Sequence, residues 1–309
     1  METAILFLIF NRPDLTGVVF EQIKKARPKR LFIAGDGPRK DKPGDDDLCR
    51  QTRDLVLQGI DWPCEVKTLF RGENLGCKMA VSSAITWFFE QVEEGIILED
   101  DCAPHPAFFG YCQELLEKYR SDTQVNFISG TCLPGSASHV SDSYYFSKFS
   151  IIWGWATWRR VWQQYDVAIK DWQYLKNSDW LENVFYGNGY FATGFKRLFE
   201  SIDQGYDTWD FQLFFLNLKS NSFNIHPAKN LISNIGFDER GTHTRGAKPY
   251  SRMPTVDIGY LRHPRVKSFD YKADEIIFEH LYKYDRRPAT PLRILYQKVR
   301  FKVNKLLGS

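Results

Sequence analysis

Long apolar runs are missing from this sequence of 309 residues. The run Ala4–Phe10 has seven residues and is closed by Asn11-Arg12-Pro13; a membrane-spanning helix takes about 20, so the run reads as a buried strand. Cysteine is also sparse. The six, at positions 49, 64, 77, 102, 112 and 132, form no C-x-x-C pair, which argues against a zinc ribbon or a disulfide framework and for reduced thiols. No N-x-S/T acceptor occurs, and the start lacks the charged, apolar and small-residue layout of a secretion signal. These absences together set the expectation of a cytoplasmic chain. There is no internal repeat, and no G-x-G-x-x-G, which disfavours a nicotinamide-dependent dehydrogenase.

Acid is absent from one stretch. Residues 286–309 carry seven Lys and Arg and no Asp or Glu. Removing those seven charges from the overall +3 leaves −4 on residues 1–285. A mildly acidic body argues against nucleic acid as a partner, because that footprint is a basic face on the folded domain. In the tail, Leu292, Leu295, Tyr296, Val299, Val303 and Leu306 fall on one helical stripe flanked by basic residues. Two readings stay open: a peripheral helix drawn to anionic lipid at the inner membrane face, or a terminal helix docked on the body with its lysine stems along the surface.

What is abundant is aromatic: 9 Trp, 15 Tyr and 24 Phe, residues that fill cores and also stack on sugars. An apolar fraction of 43% with 26% charged residues is ordinary globular usage. The first hundred residues alternate strand and helix signals: strands at Ala4–Phe10, Arg30–Ala34, Cys64–Phe70 and Gly95–Leu98, with helices at Asp14–Lys25, Leu48–Gln58 and Met79–Gln91. Such an order implies an α/β fold with a largely parallel sheet covered on both faces, whose ligands sit beyond the carboxyl ends of the strands. Those ends carry Asn11 and Arg12, then Asp36, then Glu99-Asp100-Asp101. A helix over Pro106–Tyr119 and a strand over Asn126–Ser129 follow. Beyond them the pattern turns aromatic and irregular, with Trp155, Trp158 and Trp162 at helical spacing.

Three adjacent acids after an apolar strand repel one another unless a cation offsets them or water screens them. Mg²⁺ or Mn²⁺ meets that need with one or two carboxylates, completing its shell with phosphate oxygens and water. The plainer alternative is a solvated turn at the start of the next helix, where acids are favoured. Downstream, Trp209-Asp210 opens an apolar helix over Gln212–Leu218. Asp210 is there either a helix N-cap or a general base.

The segment from Gly95 to Phe109, G-I-I-L-E-D-D-C-A-P-H-P-A-F-F, resembles the strand, acidic motif and helix of GT-A glycosyltransferases, most specifically the N-acetylglucosaminyltransferase I family and its bacterial sugar-nucleotide transferase relatives. Phe10-Asn11-Arg12-Pro13, Ala34-Gly35-Asp36-Gly37 and Asn74–Ala80 are similar to that family's further motifs. The resemblance implies a GT-A fold, Rossmann-like and mixed, with a smaller aromatic acceptor subregion. It implies a uridine diphosphate (UDP) sugar as donor and Mn²⁺ or Mg²⁺ as cofactor. Asp101 would bind the metal directly, and Asp100 would face the ribose or a metal-bound water. Arg12 would approach the uridine diphosphate, Lys78 would be the basic residue on the stretch leading into the helix that lines the base pocket, and Asp36, next to Gly37, would accept from uracil N3–H. Asp210 would be the base of an inverting transfer. Trp153 would meet sugar or acceptor, and Asn234 would open a loop on which His243 contacts the diphosphate or completes the metal shell.

On this reading residues 1–130 bind the sugar nucleotide, 131–250 bind the acceptor and carry the base, and 251–309 form an extension ending in the basic helix. The acceptor is a carbohydrate or glycolipid, as in assembly of a bacterial surface polysaccharide. A sugar-phosphate nucleotidyltransferase is the second enzymatic reading, though Asn11-Arg12-Pro13-Asp14 is not the glycine-rich basic signature expected there. A noncatalytic carbohydrate-binding scaffold is the third.

Overall fold

The computed structural model describes residues 1–237 and 248–282. Its first part follows the expected alternation: β1 (Ala4–Ile9), α1 (Pro13–Ala26), β2 (Arg30–Gly35), α2 (Asp45–Gly59), β3 (Glu65–Phe70), α3 (Gly76–Phe89) and β4 (Glu94–Glu99). All six residues of β1 are buried, as a strand covered on both faces requires. Helix α1 begins with Pro13 in its first turn, where the missing N–H costs nothing, and buries Leu15, Val19, Phe20 and Ile23 along one side. It ends where Arg27 turns left-handed, sending its N–H back to Ile23 and Lys24.

These four strands lie parallel in the order β3-β2-β1-β4. Right-handed crossovers then place α1 and α2 on one face and α3, which returns across β1, on the other. Phe32 of β2 accordingly meets Phe88 of α3 edge-on, with ring centroids 5.0 Å apart. Leu8 pairs with Glu99 and Ile9 with Gly35, so the residues after β1, β2 and β4 emerge at one edge.

The chain continues through β5 (Cys102–Pro104), α4 (Ala107–Lys118), β6 (Val125–Ser129), β7 (Tyr144–Ser147), β8 (Trp155–Trp158) and α5 (Arg159–Trp162). Then come α6 (Trp172–Leu175), α7 (Trp180–Val184), α8 (Gly189–Asp203), α9 (Asp210–Lys219), β9 (Phe223–Pro227), β10 (Ile232–Asn234) and α10 (Tyr271–Leu281). Strands β8, β6, β9 and β7 extend the sheet beyond β4 to eight. β8 runs antiparallel to both β4 and β6, while β9 is parallel to β6. The α/β class with a mostly parallel mixed sheet is therefore as the sequence implied. β5 and β10 form a separate antiparallel pair.

One expectation is corrected here. Trp155 and Trp158 are not part of a helical stripe with Trp162; they begin and end β8, and the helix starts only at Arg159. Ile97 and Ser129 both pair with Trp155, so two ladders outweigh a local spacing that suits either structure.

Apolar side chains gather in two cores. One lies around β1, β2, β4, β6 and β8; the other, largely aromatic, is built from α8, α9, α10 and the segment around Phe149. Helix α9 serves both, with Leu213 and Leu216 in the first and Phe214, Phe215 and Leu218 in the second. No helix among the described residues is long and apolar enough to cross a membrane.

Candidate active site

The turn from β4 into β5 carries Asp100 and Asp101, and their charge has a partner within the chain. The Arg12 guanidinium, three residues past β1, donates from Nη2 to Asp100 Oδ1 and to Asp101 Oδ2, the latter at 3.0 Å, and from Nε to Asp100 Oδ2 at 3.4 Å. Asp100 is almost fully buried. Burial raises its carboxyl to about 6 against the opposing pull of Arg12, with Asp101 adding to the rise. Burial works against the charge of Arg12 as well, but the two aspartates outweigh it and hold the guanidinium above its ordinary range. Glu99, the last residue of β4, is pushed well above the usual carboxylate range by burial and then by Asp101, Asp100 and Asp210. Its Oε1 is buried without a hydrogen-bond partner among the described residues. The cation that the acidic trio demanded is thus first of all Arg12, and Asp100 is turned onto that side chain.

Asp210 reaches the same place from α9. Its proposed alternative as an N-cap does not describe its position: Trp209 occupies the cap position, and Asp210 is the first residue inside the helix. The Thr208 hydroxyl donates to Asp210 Oδ1. Trp209 is buried, stacks on Trp155 with centroids 5.8 Å apart, and its carbonyl accepts from the Tyr165 hydroxyl at 2.9 Å. Packing thereby fixes the residue that precedes the carboxylate.

An aromatic wall faces these acids. Trp153 stacks on Tyr250 (5.7 Å, 28°) and meets Phe237 edge-on (5.5 Å, 88°). Tyr206 stacks on Phe211 beside Asp210 (5.7 Å, 15°). The two walls enclose a cavity of about 600 Å³, lined among others by Arg12, Cys77, Glu99, Asp101, Trp153, Asn234, Asp210 and Tyr250, within the size range of small-molecule sites. Pairing of β10 with β5 closes one side: the Ile235 N–H donates to the Asp101 carbonyl at 2.8 Å, and Asn234 Oδ1 accepts from the Gly236 N–H at 2.9 Å. Gly236 leaves room there, since a Cβ would collide with the Asp101 carboxylate.

Of the residues singled out in the sequence, the cavity brings together Arg12, Asp101, Trp153, Asn234 and Asp210. Asp100 is buried, is bonded to Arg12 and is not among the lining residues. Asp36, Gly37 and Lys78 are not among the lining residues. The Asp36 carboxylate accepts from the N–H groups of Gly37 and Leu75 and from Asn74 Nδ2 at 2.8–3.1 Å, so it ties β2 to the entrance of α3. Burial raises its pKa against those donors. The Gly37 carbonyl accepts from Asn74 Nδ2 at 2.9 Å. Lys78 is the third residue of α3, and its N–H donates to Asp207 at 2.9 Å. His243 and the basic stripe of residues 286–309 lie outside the described residues.

Sequence reasoning passed over Cys77, Tyr206, Asp207 and Tyr250. Cys77 lies inside the Asn74–Ala80 stretch, and Tyr206 and Asp207 stand just ahead of Asp210, but nothing local marks them as parts of a site; Cys77 and Asp207 meet only across 130 positions. Among the described residues, no group of three or more His, Cys, Asp or Glu is arranged to hold a metal ion. The donors present are nonetheless of the right chemistry for Mg²⁺ or Mn²⁺: Asp101, set against the bare Cα of Gly236, and the unpartnered oxygen of Glu99 are hard oxygen ligands. Such a small set suits an ion that takes its remaining ligands from a phosphate and water.

No family model and no curated protein matches the chain. Among solved structures it is similar to a fragment of S. aureus TarS, residues 1–349 (9% identity, 53% of this chain and 48% of that one, TM-score 0.38). It is also similar to the galactosyltransferase LgtC in complex with donor and acceptor sugar analogues (11%, 58% and 64%, 0.32). A third is UDP-glucose pyrophosphorylase with UDP-glucose (10%, 53% and 78%, 0.31). The chain spans about half the length of the TarS fragment. At such scores these overlaps carry no argument about activity, which has to come from the residues themselves.

Proposed function

We propose that this chain is a metal-dependent, inverting glycosyltransferase of the GT-A type that moves a sugar from a UDP-sugar to a hydroxyl of a carbohydrate or glycolipid acceptor. The observation that carries the proposal is the cavity in which Arg12, Glu99 and Asp101, brought by β1 and β4, face Asp210 on α9 and the aromatic wall of Trp153 and Tyr250. Acids for a cation, a guanidinium for a diphosphate, a separate carboxylate for a proton and flat rings for sugar faces are the parts this transfer needs.

In the step, the acceptor oxygen bonds to the anomeric carbon as that carbon's bond to the diphosphate oxygen breaks. The acceptor's proton passes to the Asp210 carboxylate, and UDP leaves with the bonding electrons. Asp101, with Glu99 beside it, would hold Mn²⁺ or Mg²⁺, which supplies charge stabilisation to the departing diphosphate when bound. Arg12 stands within reach of both aspartates and offers a second positive charge to the same leaving group. Thr208 holds one oxygen of Asp210, and the burial of Trp209 keeps the carboxylate facing the cavity.

Calorimetry of UDP against the protein with and without Mn²⁺ tests the proposal. Binding is expected to require the ion and to be lost in Asp101→Ala. Equal heats with and without Mn²⁺, in both proteins, would remove the metal-assisted reading. A panel of sugar nucleotides, followed by release of UDP, then names the donor.

A further inference from the structure

We infer that Asp207 is a positioning residue for Asp210, an assignment that rests on the reading of Asp210 as the base. The Asp207 carboxylate accepts from the N–H groups of Cys77 at 3.0 Å and Lys78 at 2.9 Å, in the first turn of α3. These are orphan donors of a helix start, where a carboxylate is held by charge-assisted bonds and by the helix dipole. The residue before that helix, Leu75, supplies no side-chain cap. The cap is instead imported from 130 residues away.

Gly76 is shaped to receive it. Its φ is +77°, and a Cβ at that position would come within 2.9 Å of Asp207 Oδ2. Cys77, one of the two donors, lines the cavity that Asp210 also lines. The short segment from Asp207 to Asp210 is therefore anchored at its start as well as at Thr208 and Trp209, whose carbonyls accept from Gln212 and Tyr165. Asp207 is bonded to α3, which packs against β1 and β2, and Trp209 is stacked on Trp155 of β8. Thr208 between them donates to Asp210. Loss of the first anchor leaves α9 packed in both cores but frees the lead-in that aims the carboxylate, and displacement of a reacting group by about 1 Å can cost up to 10²-fold in rate.

Asp207 is exposed, so its replacement leaves both cores intact. The experiment compares Asp207→Ala and Asp207→Asn with the unaltered protein in steady-state transfer, in calorimetry of UDP with Mn²⁺, and in thermal unfolding. The expected result is a kcat lower by about tenfold or more in Asp207→Ala and by less in Asp207→Asn, which keeps one acceptor oxygen. Donor KM and nucleotide affinity should change by less than about twofold, the signature of an interaction felt in the transition state. An unchanged kcat overturns the inference. So does a kcat that falls only in step with Tm and nucleotide affinity, which would make Asp207 a plain helix cap. Asp210→Asn keeps the two ideas apart: turnover surviving in that variant removes the base assignment itself, whereas an inactive Asp210→Asn beside a fully active Asp207→Ala removes only the positioning role.

Discussion

The two cores of this molecule are built differently. Strands β1, β2 and β4 bury Ile5, Leu6, Phe7, Leu31, Ile33, Ile96, Ile97 and Leu98 in a regular parallel array, and the array puts polar residues at its carboxyl edge as a matter of geometry. The second core has no such lattice. It collects around one ring, Phe149, whose centroid lies 5.4–6.4 Å from those of Phe185, Phe191, Phe195, Phe214, Phe278 and Tyr282. Aromatic side chains fill volume without imposing a period, and short helices such as α6 and α7 each bring a Trp, Trp172 and Trp180, against Phe215 of α9. The difference teaches a division of labour: the sheet core presents charged chemistry at an edge, and the aromatic core supplies a shaped wall. Helix α9 joins them and carries Asp210 at its start.

If that division holds, the strongest effect comes from a change that leaves both cores untouched. Asp210→Asn should lower kcat by about 10²–10⁴-fold, the range for loss of a general base, with an unaltered unfolding transition; a kinetic assay beside a thermal melt checks both. The reverse pattern is expected of Phe149→Ala, which removes the ring at the centre of the second core. Its cost should be about 3–5 kcal/mol, measured by urea denaturation, and a loss below about 1 kcal/mol would show that the aromatic core does not depend on its central ring.

A smaller effect separates the cores by pH. Asp274, on α10 at the edge of the aromatic core, accepts from the Ser147 hydroxyl and from the Lys148 N–H at 3.3 Å. Burial lifts its carboxyl to about 7 against those donors. In the unfolded chain an aspartate titrates near 4, so between about pH 4 and pH 7 the folded state binds the extra proton and stability falls as pH rises. Asp274→Asn should lessen that slope and leave the share of Asp100, which burial raises to about 6; urea midpoints across the same window decide it, and an unchanged slope would assign the pH dependence elsewhere.

Most of the first core could be read in advance because its signals are local. The expected strand at Ala4–Phe10 ends one residue early at Ile9, and the helix expected over Asp14–Lys25 runs from Pro13 to Ala26. The wider shift at α2, which begins at Asp45 rather than Leu48, reflects acids that favour a helix start and carry no apolar period. The aromatic half was less legible. Trp155, Trp158 and Trp162 have a spacing that a helix and a strand-then-helix share, and only the neighbouring strands β4 and β6 distinguish the two. Asp36 stands at a strand end, where it suits either a ligand or a turn; in the fold its oxygens accept from Gly37, Asn74 and Leu75, and the last two donors are announced by no pattern around Asp36.

The one-dimensional text determined that this chain alternates strands and helices, that its strand ends carry Arg12, Asp36 and Glu99-Asp100-Asp101, and that Asp210 opens an apolar helix. Hydrophobic period and turn chemistry act over a few residues, so they are written where they act. Only the tertiary structure decided that Arg12 closes on Asp100 and Asp101, that Gly236 presses against Asp101, and that Asp207 seats itself on α3. Each of these joins residues 88 or more positions apart, and such pairings are selected by the packing of the whole chain rather than by the neighbours of either residue.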